Sequence, residues 1–131
     1  MNRKLDKILA EISAGELVDK ITILEIKKIK LTNKDKLIEV NKELTSLNIT
    51  LEKSIPDISK ILKFKENLKN VNLKLWDIED GKRAAEKEKN FGEKFIALAR
   101  DVYTLNDQRA KIKLEINEIL GSNIKEVKSH F

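Results

Sequence analysis

Apolar residues in this chain recur at alternating steps of three and four positions, over segments far longer than a strand. This spacing places them along one side of an α-helix, which has about 3.6 residues per turn. The clearest stripes are formed by Leu37, Val40, Leu44, Leu47 and Leu51; Ile61, Phe64, Leu68, Val71, Leu75 and Ile78; and Phe95, Leu98, Val102, Leu105, Ile112, Ile116 and Ile119. Four glycines and one proline offer little of the turn chemistry that strand-rich folds need. The pattern predicts an all-α protein.

Local signals divide this pattern into helices. Ser13 and Glu16 have the spacing of a capping box, so a helix is expected to begin there. The polar cluster 32–35 is expected either to interrupt this helix or to turn the chain. Its predicted buried face comprises residues 17, 18, 21, 24, 29 and 31. Pro56 fits the start of a later helix, because its missing N–H would have had no partner there. Gly121 is expected to end the last helix.

Residues 79–89 are predicted to be helical and solvated, and residues 90–92 to form the turn before the last helix. At about 1.5 Å per residue, helices of about 27 residues reach roughly 40 Å. We therefore predict an elongated antiparallel bundle of three to four long helices with up-down-up topology. A two-stranded coiled-coil dimer is the main alternative, because three-four spacing also specifies such a seam.

The length of 131 residues predicts a single helical-bundle domain over residues 1–131. Residues 1–12 are expected to form an arm, either extended or a frayed helix, since so short a segment has no decisive periodicity. Residues 122–131 are expected to form a short C-terminal tail that is ordered only by docking.

The composition excludes several classes of protein. Without cysteine there are no disulfides, thiolate metal sites or cysteine nucleophiles, and with His130 as the only histidine we expect no metal and no other cofactor. No apolar run could serve as a secretion signal or membrane span, so we expect a soluble cytoplasmic protein. The net charge of +5 comes from 23 lysines and only four arginines against 22 acidic residues, which disfavours nucleic-acid binding.

Polar residues occupy positions of the last helix that the apolar spacing predicts to be internal. Arg109 falls on the stripe itself, and Asn106, Lys113 and Asn117 follow the same helical spacing; these four residues are called the polar ridge. The ridge could line a groove for an anionic or hydroxyl-rich ligand. The structural alternative is an Arg109 ion pair with a carboxylate of another helix, for which Glu25 is the expected partner.

Further polar residues lie near this ridge. Glu16 and Asp19 lie at the start of the first helix. Arg100, Tyr103 and Asp107 share a neighbouring face of the last helix, where Tyr103 could shield an ion pair between the other two.

A secondary cluster surrounds the only tryptophan. Trp76, Glu79, Asp80 and Arg83 follow three-four spacing, which places an aromatic ring beside carboxylates. Asp77, Glu79 and Asp80 could bind a metal, but metal sites in bundles draw ligands from several helices and include histidine. We therefore interpret Trp76 as an anchor of the core.

The chain resembles an uncharacterised bacterial family of unknown function in three blocks: SAGELVDKITILEIKK at 13–28, LWDIED at 75–80 and FIALARDVYTLNDQRAKIKLEIN at 95–117. The resemblance extends to the ending, where His130 replaces the more usual tyrosine. Members tend to be encoded near sugar-transfer and surface-polysaccharide genes, which implies a link to glycan metabolism but no particular reaction. The polar signature of the family falls on Glu16, Asp19, Lys20, Glu25, Trp76, Glu79, Asp80, Arg100, Tyr103, Asn106, Asp107, Arg109, Lys113 and Asn117.

Three functions are consistent with these observations. The first is a binding or accessory protein whose inter-helix groove holds a small anionic or carbohydrate-related ligand. The second is a small all-α enzyme with a mutase-like pocket, in which Glu25 or Asp107 acts as acid or base beside Arg109. The third is a coiled-coil interaction protein, which could form a homodimer. No phosphate-binding glycine loop, nucleophile elbow or zinc motif occurs in the sequence.

Overall fold

A computed structural model of the protein describes residues 4–128. It contains the helices α1 (Ala14–Lys30), α2 (Lys34–Ser54), α3 (Leu62–Lys87) and α4 (Glu93–Leu120), with a short 3₁₀ helix at Ser59–Ile61. The described part of the chain has no strand, and the helices pack on one another within one chain. The predicted all-α antiparallel bundle is confirmed, with four helices.

Helix α1 is the centre of the bundle and packs against the other three helices. The Ser13 hydroxyl accepts a hydrogen bond from the Glu16 N–H at 3.0 Å, which confirms the predicted helix start. Ile29 was expected on the buried face and is exposed, because it lies about 140° around the helix from Leu24. The buried core comprises Leu17, Val18, Ile21, Leu24, Val40, Leu44, Leu51, Ile61, Leu68 and Ile116.

The prediction that Pro56 begins a helix is wrong. Residues 55–58 form an irregular connection, and α3 begins only at Leu62, after the 3₁₀ helix. The Asp57 carboxylate accepts hydrogen bonds from the Ser59 N–H at 3.0 Å and from the Ser59 hydroxyl at 2.5 Å. This local turn gives the backbone after Pro56 an alternative to a helix.

Gly121 ends α4 as predicted. Its φ of +65° is in the left-handed region that glycine adopts without a steric penalty. The Ser122 N–H donates to the Asn117 carbonyl at 2.8 Å, and the Gly121 N–H donates to the Glu118 carbonyl at 3.3 Å. These bonds close the helix end and turn the chain back along α4.

Helices α3 and α4 form an antiparallel hairpin that is longer than the rest of the bundle. With 26 and 28 residues against 17 in α1, they exceed α1 by roughly 15 Å. The buried residues of α3 end at Asn72, and those of α4 begin at Leu105. Residues 75–79 and 102 still lie beside α1. Residues 81–99, called the distal hairpin below, extend past the end of α1 and have no third helix to cover their apolar side chains.

The two chain ends behave differently. Residues 4–12 form an arm without helix or strand, so the described part of the arm is not a frayed helix. The tail, described as far as residue 128, docks on the bundle through Ser122, Glu126 and Lys128. Residues 1–3 and 129–131, with His130, lie outside the described residues. Within residues 4–128 no helix combines the length and the apolar character that crossing a membrane requires.

Gly15 allows α1 to approach the backbone of α4. A Cβ atom at Gly15 would lie 2.4 Å from the Lys113 carbonyl oxygen, so we expect Gly15→Ala to lower the free energy of unfolding by about 1–3 kcal/mol. Gly81→Ala is the matched control, since its Cβ would meet only the flexible end of Leu98 at 3.3 Å. It should be neutral or stabilising by up to about 1 kcal/mol. Urea denaturation measures both, and equal stabilities would contradict the close approach.

Candidate functional site

The centre of the polar network is the carboxylate of Asp19, whose side chain is 1% exposed. The Arg109 guanidinium donates from Nε to Oδ1 at 3.0 Å and from Nη2 to Oδ2 at 2.5 Å. The Asn72 amide donates to Asp19 Oδ1 at 2.9 Å and to the Thr22 hydroxyl at 3.0 Å. One buried carboxylate thus binds side chains from α3 and α4 to α1.

Arg109 therefore makes an ion pair with another helix, as the structural alternative predicted. The prediction that Glu25 is its partner is wrong. The hydrogen bonds to Asp19 raise the pKa of Arg109 against the opposing effect of burial. Glu25 lies instead between Lys65 and Lys69, at 3.7 and 3.6 Å. Positions 19 and 25 differ by about 120° around α1, so their side chains meet different neighbours.

A second group of charges surrounds this centre near the surface. The Lys113 ammonium donates to the Glu16 carboxylate and lies 3.9 Å from Asp19 Oδ2. The exposed Lys20 also pairs with Glu16, at 3.7 Å. The Glu16 carboxylate thus binds lysines of α4 and α1 rather than completing the capping box with Ser13.

The start of α1 is bound to the end of α4 and to the tail. Asn117 is fully buried and accepts a hydrogen bond from the Gly15 N–H at 2.6 Å. Its amide nitrogen donates to Glu126 at 2.9 Å, and the Ser13 hydroxyl donates to the other Glu126 oxygen. The Ala14 N–H donates to the Ser122 hydroxyl at 3.0 Å. Asn117 is therefore occupied by structural contacts.

The polar ridge is consequently divided. Asn117 and Lys113 serve the contacts between α1, α4 and the tail. Asn106 and Arg109 line a cavity of about 270 Å³ between α1, α3 and α4. The other residues that line this cavity are Ile23, Ile26, Asn72, Leu75, Trp76, Glu79 and Val102.

Two groups in this cavity have no partner within residues 4–128. The Asn106 amide makes no side-chain hydrogen bond there, and Arg109 uses only Nε and Nη2 for Asp19, which leaves Nη1 available. Asn106 offers both donors and an acceptor, and Nη1 offers donors. The cavity therefore combines unpaired polar groups with the half-buried ring of Trp76.

Trp76 is not the core anchor that the sequence indicated. Its ring is only partly buried, and it lines both this cavity and a wider groove of about 880 Å³ between α1 and α2. Glu79 pairs with Arg83 at 3.4 Å on the surface, and Asp80 is exposed. Asp77 pairs with Lys30 at 3.5 Å. In the part of the chain that is described, no group of three or more potential ligands is arranged to hold a metal.

The outward face of α4 carries Arg100, Tyr103 and Asp107. The expected ion pair between Arg100 and Asp107 is wrong, because Asp107 accepts a hydrogen bond from Lys128 of the tail. The Arg100 side chain makes no ion pair within residues 4–128. Tyr103 is 66% exposed and does not cover an ion pair between them.

Four residues of this network were not predicted from the sequence: Asn72, Thr22, Glu126 and Lys128. A signal existed for Asn72, which falls on the apolar stripe four residues after Leu68. No periodicity could identify the two tail residues, because the tail has no regular secondary structure.

Breaking the pair at Asp19 should be costly. We expect Arg109→Met to lower the free energy of unfolding by about 3 kcal/mol, because it leaves a buried carboxylate without its counter-charge. Asp19→Leu combined with Arg109→Met should recover part of this loss. Arg83→Met removes an exposed pair and should change the free energy by at most about 0.5 kcal/mol. Chemical denaturation distinguishes these cases; equal losses at positions 83 and 109 would contradict the assignment.

The Glu126 contact should depend on pH. Partial burial favours a higher pKa for Glu126, but hydrogen bonds from Ser13 and Asn117 and the charge of Lys113 outweigh it and lower the pKa. Its stabilising effect is therefore complete above the ordinary glutamate pKa of about 4.3 and is lost as the pH falls through the lower native value. The difference in unfolding free energy between wild type and Glu126→Gln should shrink over that range. A constant difference would contradict this.

Comparisons with known proteins identify the family but no activity. No curated protein and no solved structure matches the chain. The model of one protein family, described as "Family of unknown function (DUF6165)", matches residues 8–130 and includes all three blocks that carry the resemblance. The chain therefore belongs to the family of unknown function DUF6165.

Proposed function

We propose that this protein is a small binding or accessory protein that holds a neutral, hydroxyl-rich, carbohydrate-related molecule in the cavity between α1, α3 and α4. The observation that carries the proposal is the pair of polar groups without partners, Asn106 and Arg109 Nη1, beside the ring of Trp76. Elsewhere in the network the polar groups are largely satisfied by one another. Asn106 and Arg109 Nη1, by contrast, are available to a ligand.

The chemistry of the cavity suits a sugar ring. The face of an aromatic side chain packs against the C–H groups of such a ring, while amide and guanidinium groups exchange hydrogen bonds with its hydroxyls. The volume of about 270 Å³ lies just below the roughly 300 Å³ at which pockets for drug-sized ligands begin. A single ring therefore fits better than an oligosaccharide.

The charge balance favours a neutral ligand over an anion. The charge of Arg109 is opposed by Asp19, and that of Glu79 by Arg83. The mutase-like alternative needs several cationic groups around one cavity. Lys113 does not line this cavity, and Arg100 lies on the outward face of α4. The geometry therefore supports binding better than that reaction.

Two further predictions concern the cellular role of the protein. The family resemblance implies a link to surface-glycan metabolism, and the composition predicts a cytoplasmic location. Both stay predictions, and the proposal rests on the cavity alone.

Trp76 provides a direct assay because it is the only tryptophan in the chain. We expect neutral monosaccharides, with glucose and N-acetylglucosamine as probes, to change its fluorescence at lower concentrations than glucose 6-phosphate. Asn106→Ala should weaken binding about tenfold through lost hydrogen bonds while leaving the fold intact. Asn70→Ala, which alters an exposed amide on the other side of α3, is the matched control.

Mass spectrometry of small molecules retained by the purified protein tests the same proposal without a chosen probe. A retained polyol or sugar derivative that is lost in Asn106→Ala would support it. A tighter response to the phosphorylated sugar, or equal binding by wild type and Asn106→Ala, would contradict it.

A further inference from the structure

The outward face of α4 carries an apolar strip that the bundle leaves uncovered. We call Ile96, Ala99, Tyr103, Ala110 and Leu114 the outer strip; they follow helical spacing on the side opposite the buried stripe. Ile96 is 50% and Tyr103 66% exposed. The strip begins on the distal hairpin and continues along the part of α4 that the tail accompanies.

The distal hairpin has apolar groups in excess of what two helices can cover. Phe91 and Phe95 stack edge to face with ring centroids 5.2 Å apart, and Phe91 remains half exposed. No side chain from residue 73 to residue 104 is fully buried. Exposed apolar side chains grouped on one segment are typical of an interaction site.

The other end of the outer strip contains a matching hollow. A pocket of about 460 Å³ lies between α4 and the tail, with Ala110, Leu114 and Val127 as its apolar walls. Val127 is 94% exposed and forms the open rim. One molecule therefore presents an apolar projection at Ile96 and an apolar hollow at Ala110.

We infer that the outer strip is the interface for a second copy of this chain, with the two α4 helices antiparallel about an axis at Tyr103. Ile96 and Ala110 each lie seven residues, or about 10 Å, from Tyr103 in opposite directions. A two-fold axis at Tyr103 therefore places Ile96 of the first copy over the Ala110 hollow of the second. By symmetry it also places Ile96 of the second copy over the hollow of the first. Such self-complementarity is the property of a symmetric dimer surface.

Charge complementarity supports this register. Arg100 precedes Tyr103 by three residues and Asp107 follows it by four. The same axis brings Arg100 of one copy to within about one helical residue of Asp107 of the other. Arg100 makes no ion pair within residues 4–128, and in the dimer it would share the Asp107 carboxylate with Lys128 of the tail. The part of α4 near the tail also supplies the third helix that the distal hairpin lacks. This surface is separate from the proposed sugar cavity.

Sedimentation equilibrium of the full chain tests the dimer. We expect a concentration-dependent equilibrium between monomer and dimer, and a rise of about thirtyfold in the dissociation constant for Tyr103→Glu. Circular dichroism should be unchanged in this variant, because the side chain is largely exposed. A monomer at all concentrations, or a dimer that Tyr103→Glu does not weaken, would overturn the inference.

Cross-linking tests the axis, since the natural chain has no cysteine. In Tyr103→Cys, a short bismaleimide should join two copies rapidly. Gln108→Cys is the control, because this exposed position of the same helix faces the groove beside α3. Equal yields from the two variants would overturn the proposed axis.

Charge reversal tests the register. Arg100→Asp and Asp107→Arg should each weaken the dimer, and the double variant should be tighter than either. The single Asp107→Arg variant carries the loss of the Lys128 contact within the chain, so the comparison isolates the pair between the two copies. If the double variant is no tighter than Arg100→Asp, the proposed register is wrong.

Discussion

The buried carboxylate of Asp19 is the constraint on which the rest of the structure depends. A charge removed from water is costly unless an opposite charge and hydrogen bonds compensate it. Here the compensation comes from Arg109 of α4 and Asn72 of α3. The bidentate geometry of this pair is compatible with one axial position of α1 against α4. The polar centre thus sets how three helices align, and the apolar core supplies most of the stability around it.

The same arrangement gives the cavity its chemistry. A guanidinium has five N–H donors in a fixed plane, and the bidentate bond to Asp19 uses one edge of it. Its orientation is therefore fixed before any ligand arrives. Arg109, which lines the cavity together with Asn106 and Trp76, would therefore bind a ligand without the loss of side-chain freedom that binding usually demands. The binding role proposed for Arg109 is in this way compatible with its structural role.

Much of the fold could be predicted from local rules in the sequence, but the partners of the polar side chains could not. The capping serine at position 13 and the glycine at position 121 act within a few residues, so their effects were predictable. Periodicity identified the face of α4 that carries Arg109, but a face does not reveal which carboxylate of another helix it meets. Asp19 and Glu25 were both plausible, and the packing of α1 decided between them. The role of the tail was hidden because a segment without regular structure has no period.

The distance along the chain between Asp19 and Arg109 has a consequence for biosynthesis. These residues are 90 positions apart, and α1 is the helix on which the others pack. At roughly 5–20 residues per second, α1 leaves the ribosome about 5–20 s before the side chain that neutralises its buried charge. The hairpin of α1 and α2 is local in sequence and can close while α4 is still being made, so α2 covers part of the apolar stripe of α1. The face of α1 that carries Asp19 receives Asn72 and Arg109 only after both later helices have been made, which leaves this face open to chaperones in the interval.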